Sequence, residues 1–151
     1  MKKLILFLVL TACSFKPMFS SNDTDVFVAP IRGINGIELR NSLNTQFGGA
    51  HGENAKYRLE VNLHDPSTQL KALELSGVAT WQEVKLNASY VLKQGDKVIV
   101  SGSESASESY TFVNYLVASN AAYNNAVMNA INVLSDKISM RVIVETKKEE
   151  K

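Results

Sequence analysis

From Phe112 to about Val142 the chain contains neither proline nor glycine, and its small and aliphatic residues return every three or four positions. Tyr115, Ser119, Ala122, Ala126, Ala130, Leu134 and Ile138 form one stripe, widened by Val127, Ile131 and Val142. That period is helical, and the alanines within it predict close approach to a sheet or to another helix. A helix this long needs an apolar surface to cover, and the preceding sequence supplies one. In "YRLEVNLHD", Tyr57, Leu59, Val61 and Leu63 alternate with Arg58, Glu60, Asn62 and His64. Further on, Val84, Leu86, Ala88, Tyr90 and Leu92 share a face within an extended run from about Leu73 to Lys93. Both patterns read as half-buried strands. Gln94-Gly95-Asp96 has turn chemistry and Val98, Ile99 and Val100 open a further strand, which makes a hairpin. That strand continues through "SGSESASESY" toward Tyr110, at a sheet edge.

Earlier in the chain, "VFVAPI" (Val26–Ile31) is β-branched and aromatic and reads as a first strand. In "NGIELRNSLNTQFGG", Leu39, Leu43 and Phe47 fall on one helical face, and Gly48-Gly49 closes the segment as a C-cap does. "AHGEN" is loop, and Asp65-Pro66-Ser67 interrupts the strand before it. The order β-α-β-β-β-α predicts an α+β fold: a two-layer sandwich of two helices on a mostly antiparallel sheet of about four strands. The single domain spans 26–144. Its outer sheet face carries Arg58, Glu60, Lys85, Asn87, Ser89 and Lys93, turned to water or to a partner. Residues 145–151 are expected to be a frayed, charged tail.

The N-terminus carries a different signal. Lys2 and Lys3 precede an apolar run from Leu4 to Leu10, far shorter than the roughly 20 residues of a spanning helix. Thr11 and Ala12 then lead to Cys13, the only cysteine of 151 residues, so no intramolecular disulfide or CxxC pair is available. Residues 1–12 are expected to be a cleaved lipoprotein signal peptide, because Leu10-Thr11-Ala12-Cys13 resembles a bacterial lipobox. By that resemblance, Cys13 receives diacylglycerol on sulfur and an acyl chain on its new amino group. Two or three acyl chains make a stable anchor where one does not. By resemblance to bacterial sorting rules, Ser14 after the cysteine favours the outer membrane, and 13–25, ending in Ser-Ser-Asn-Asp-Thr-Asp, is expected to be the lipidated tether. Removing 1–12 leaves 14 basic against 15 acidic residues. Such a balance argues against nucleic acid as a partner.

Catalytic chemistry is sparse. His51 sits in a Gly-rich loop and His64 on a polar strand face, without metal-ligand spacing. Ser101, Ser103, Ser105, Ser107 and Ser109 alternate as strand positions do, with no GxSxG elbow around them. Glu104 and Glu108 fit a solvated edge strand, and no glycine-rich phosphate cradle occurs. The expectation is a non-enzyme with no catalytic residue, no metal and no cofactor beyond the lipid on Cys13.

Over essentially the whole mature chain, the features resemble the LPS-assembly lipoproteins (LptE-like). "CSFKPMF" is similar to the family's start, with Phe15, Pro17 and Phe19 after the cysteine. "APIRGINGIELRNSL" resembles its first strand and LRNxL helix, and "YRLEVNL", "ASYVL", "SGSESASESY" and "LSDKISMRV" resemble the later elements. The resemblance implies an outer-membrane lipoprotein on the periplasmic side or inside the lumen of a large β-barrel, LptD. There it would act as plug and assembly factor, and bind lipopolysaccharide. The lipid A phosphates would then seek Arg58, Lys85, Lys93 and Lys97. The competing expectations are an auxiliary lipoprotein subunit of an inner-membrane lipid or solute transporter, and a small serine hydrolase.

Overall fold

The computed structural model of the chain describes residues 24–73, 79–112 and 115–150. The expectations on the signal peptide, on Cys13 and on Phe15, Pro17 and Phe19 lie outside the described residues.

The element order is β1 (Val26–Val28), α1 (Ile34–Gln46), β2 (Tyr57–Leu63), β3 (Ser67–Leu73), β4 (Ala79–Gln94), β5 (Lys97–Thr111) and α2 (Leu116–Glu149). Strand β4 is the spine. Along one side it pairs antiparallel with β5 from Trp81↔Thr111 to Gln94↔Lys97. Along the other it pairs antiparallel with β3 over its first half and with β2 over its second. Strand β1 joins β2 in parallel, Val26 opposite Tyr57. Two helices on a mostly antiparallel sheet make this the expected α+β fold, with five strands rather than about four.

The additional strand has a simple cause. β2 and β3 both run antiparallel to β4, so they are one line of chain broken at His64-Asp65-Pro66. His64 still donates its amide to the Asn87 carbonyl (2.9 Å), whereas Pro66 has no N–H to continue the ladder. β1 ends at Val28, shorter than expected. Beyond it the chain turns through Gly33, whose φ of 82° favours glycine, into α1. The hairpin between β4 and β5 turns at Gly95 with φ 57°, as a two-residue loop requires.

The core lies between the sheet and the two helices. Leu39, Leu43 and Phe47 come down from α1, and Ala126, Ala130, Ile131, Leu134, Ile138 and Val142 from α2. They meet Val26, Val28, Tyr57, Leu59 and the even-numbered face of β4, Val84 through Leu92. Ala130 is fully buried, as small residues in the stripe anticipate. The helices are joined by polar contacts: Ser42 Oγ donates to Ser135 Oγ (2.8 Å), and Gln46 Nε2 to Asp136 Oδ1 (2.6 Å).

Two expectations about α2 are corrected. Tyr115 is not part of the buried stripe. It is the N-cap residue, with φ −90° and ψ 110°, so the helical phase does not yet govern its side chain. The segment expected to fray is helical through Glu149. Thr146 is buried there, Lys148 pairs with Glu145, Lys97 reaches Glu149 and Lys56 reaches Glu150. Lys147 and Lys148 also face the negative end of the helix dipole.

Candidate functional site

The uncovered face of the sheet is the candidate site. On β4 it is formed by the odd-numbered positions, because the even ones are turned to the helices. Register then places Ser107 and Ser67 beside Lys85, Ser105 beside Asn87, Ser103 and Asn62 beside Ser89, and Glu60 beside Val91. The alternating serines of β5 are therefore one exposed row. Glu104, Ala106, Glu108 and Tyr110 occupy the intervening positions on the helix side. The centre of the face is thus hydroxyl and amide around one ammonium, that of Lys85.

Charges stand at its two ends. Arg58 on β2 and Lys93 on β4 are cross-strand partners, and both hold Glu60. Arg58 Nε donates to Glu60 Oε1 (3.2 Å) and Lys93 Nζ to Glu60 Oε2 (2.7 Å). The Lys93 hydrogen bond, helped by Arg58, keeps the Glu60 carboxyl below its ordinary value of 4.5 despite some desolvation. The Arg58 guanidinium also lies 5.2 Å from the Phe27 ring centroid, a cation–π distance. At the far end Lys71 pairs with Glu83 (3.0 Å).

The four cations expected to meet phosphates do not converge. Arg58 and Lys93 are together but share one carboxylate. Lys97 lies at the hairpin and is paired with Glu149 (2.7 Å). Lys85 stands on the same face as Lys93, eight residues or about 27 Å along β4, and among the described residues its ammonium has no anionic partner. Glu60, on the polar face of β2, pairs with two of the four. The signal was available: Glu60 is two residues from Arg58, on the same side of a strand.

His51 is held between Asp25 and Phe47: Nδ1 lies 3.4 Å from Asp25 Oδ1 and Nε2 3.3 Å from the Phe47 carbonyl. His64 is exposed at the end of β2. No cluster of three or more His, Cys, Asp or Glu placed to hold a metal occurs among the described residues. A shallow groove of about 330 Å³ runs between α1 and α2, lined by Glu38, Asn41, Thr45, Met128 and Asn132 among others. Its walls are amide, hydroxyl and thioether groups with one carboxylate.

No protein-family model matches the chain, and no curated protein sequence matches it significantly. Solved structures do match. A candidate lipoprotein from Caulobacter crescentus has a TM-score of 0.66 at 19% identity, covering 85% of this chain and 93% of that one. A minor lipoprotein from Acinetobacter baumannii has a TM-score of 0.61 at 15% identity, with 83% and 93% covered. Rare lipoprotein B from Shewanella oneidensis has a TM-score of 0.64 at 10% identity, with 87% and 99% covered. At such identities the likeness establishes a shared fold: this chain is built as those domains are, over nearly their whole length.

Proposed function

We propose that this chain is a lipid-anchored outer-membrane lipoprotein that works without catalysis, docking in a large β-barrel to assemble lipopolysaccharide at the cell surface. One coincidence carries the reading. Leu10-Thr11-Ala12-Cys13 stands ahead of a domain whose fold is shared with solved bacterial lipoproteins. The outer sheet face supports the choice of partner. Its row of serines, with Asn62, Asn87 and Ser89, offers hydrogen bonds without net charge, which suits the polar lumen of a membrane barrel. Lys85 is the cation on that face best placed to meet a lipid A phosphate, since Arg58, Lys93 and Lys97 already serve carboxylates.

The test is co-purification from detergent-solubilised membranes with a tagged full-length chain. A stoichiometric β-barrel several times larger is the expected partner. Recovery of an ATP-driven inner-membrane transporter instead would replace this reading with that of a transporter subunit, and recovery of neither would end it.

A further inference from the structure

The molecule has two chemically different ends. At one end stand the first residues of β1 and β2, the hairpin joining β4 to β5, and the end of α2. Charge is dense there, with Lys56–Glu150, Lys97–Glu149 and Lys148–Glu145 pairs beside the Arg58–Glu60–Lys93 group. The chain enters the domain at the same end, through Thr24 and Asp25, whose carbonyl accepts the Tyr57 amide. The opposite end, about 50 Å away along the 34-residue α2, gathers the end of β3, the start of β4, the end of β5 and the start of α2. From Leu116 to Ser135 the helix carries no charged residue. Large apolar side chains are exposed there: Leu70 63%, Trp81 48%, Phe112 37%, Tyr115 78%, Leu116 75% and Val117 83%.

We propose that this end is a membrane-contacting tip, inserting Leu70, Trp81, Phe112, Tyr115, Leu116 and Val117 into the interfacial layer of a phospholipid bilayer. Large apolar side chains exposed together at one end of a domain mark a contact site. Exposures of three-quarters and more belong to protruding side chains, not to the walls of a cleft waiting for a peptide. Two aromatic residues with polar edges, Trp81 and Tyr115, among aliphatic ones match the composition that settles at headgroup level. The nearest described charges on β3 and β4, Lys71 and Glu83, are paired with each other. No helix among the described residues is long and apolar enough to cross a membrane, so the contact is interfacial. Thr24, the first described residue, stands at the opposite end. This inference stands on the exposed side chains and does not depend on the barrel reading.

Trp81 is the only tryptophan of the chain, so its emission reports on the tip alone. The full chain, purified from membranes in detergent, is reconstituted into phosphatidylcholine vesicles with and without brominated acyl chains. A blue shift and severalfold quenching by the brominated lipid are expected, and the L116S/V117S variant should lose most of both. Its substituted positions are exposed, and an unchanged thermal melt establishes that it is folded. Emission indifferent to brominated lipid overturns the proposal, as does quenching that L116S/V117S leaves intact. Shielding of Trp81 from iodide without lipid also overturns it: a concentration-independent shield assigns the tip to the chain's own N-terminal segment, a concentration-dependent one to a second copy.

Discussion

Gly102 on β5 stands directly opposite Tyr90 on β4, and the tyrosine hydroxyl fills the space a side chain at 102 would need. A Cβ built on Gly102 would lie 2.8 Å from that oxygen and 3.0 Å from Cζ. Tyr90 is buried, and burial first, then the Glu104 carboxylate, pushes its hydroxyl above its ordinary pKa. Packed beneath α2, the ring has little room to retreat. Gly102→Ala should therefore destabilise the domain by about 1–3 kcal/mol, the usual cost of overpacking. Adding Tyr90→Phe should recover only part of that, because Cζ stays in place. Urea denaturation measures both, and a Gly102→Ala midpoint equal to wild type would show that the ring moves aside.

The seam between the helices offers a second test. Ser135 is fully buried, and its oxygen accepts from Ser42 at 2.8 Å. A buried hydroxyl deprived of its partner costs more than the bond itself contributes. Ser42→Ala should lower stability by about 1–2 kcal/mol. In Ser42→Ala/Ser135→Ala the two losses should sum to less than the single variants imply, since the unmatched group goes too. Strict additivity in a double-mutant cycle would mean that the two hydroxyls do not interact.

The periodicities that survive in the structure are those where one face is dry. Leu39, Leu43 and Phe47 on α1 and Val84 through Leu92 on β4 were legible because burial enforces their spacing. β3 was not, since Ser67-Thr68-Gln69-Leu70 lacks an alternating apolar face; backbone pairing to β4 makes it a strand. The helical end of the chain was equally hidden. Glu145, Lys148 and Glu149 look like a solvated tail until folding brings Lys97 beside Glu149. The serine row could be read as alternation, but only register with β4 turns five serines into a surface. Tyr115 was misplaced because a stripe extrapolated backwards does not know where the helix begins.

Around Glu60, pH should have a modest and directional effect. Its carboxyl sits below the ordinary 4.5 because Lys93 and Arg58 favour the charged form. A depressed folded pKa adds stability above the unfolded value, and that stability is lost as pH falls through the folded one. The contribution is therefore complete near neutrality and fades below about pH 4.5. The groups are well exposed, so the whole effect should stay under about 1 kcal/mol. Glu60→Gln should lower the neutral-pH melting temperature slightly, and the difference should shrink as pH falls below 4.5. A variant that melts lower by the same margin at pH 7 and pH 3.5 would rule this linkage out.

Strand β5 leaves the sheet with an open edge, for among the described residues it pairs only with β4. A fifteen-residue edge, with about every second residue turning its backbone N–H and C=O outward, is a long template for another strand. The fold answers with Lys137, which extends from α2 to donate to the carbonyl of Ser105 at the middle of that edge (2.7 Å). The lysine occupies an acceptor an incoming strand would need and sets a positive charge in its path. Lys137→Ala should then leave monomer stability within about 0.5 kcal/mol, as for other surface changes, while promoting association. Sedimentation velocity across a range of concentrations reads this directly. Larger species in Lys137→Ala but not in wild type are expected, and Lys137→Arg should stay monomeric because it keeps both donor and charge. If Lys137→Ala remains as monomeric as wild type at every concentration, the bond to Ser105 is incidental, and the edge is protected by the polar, twisted strand itself.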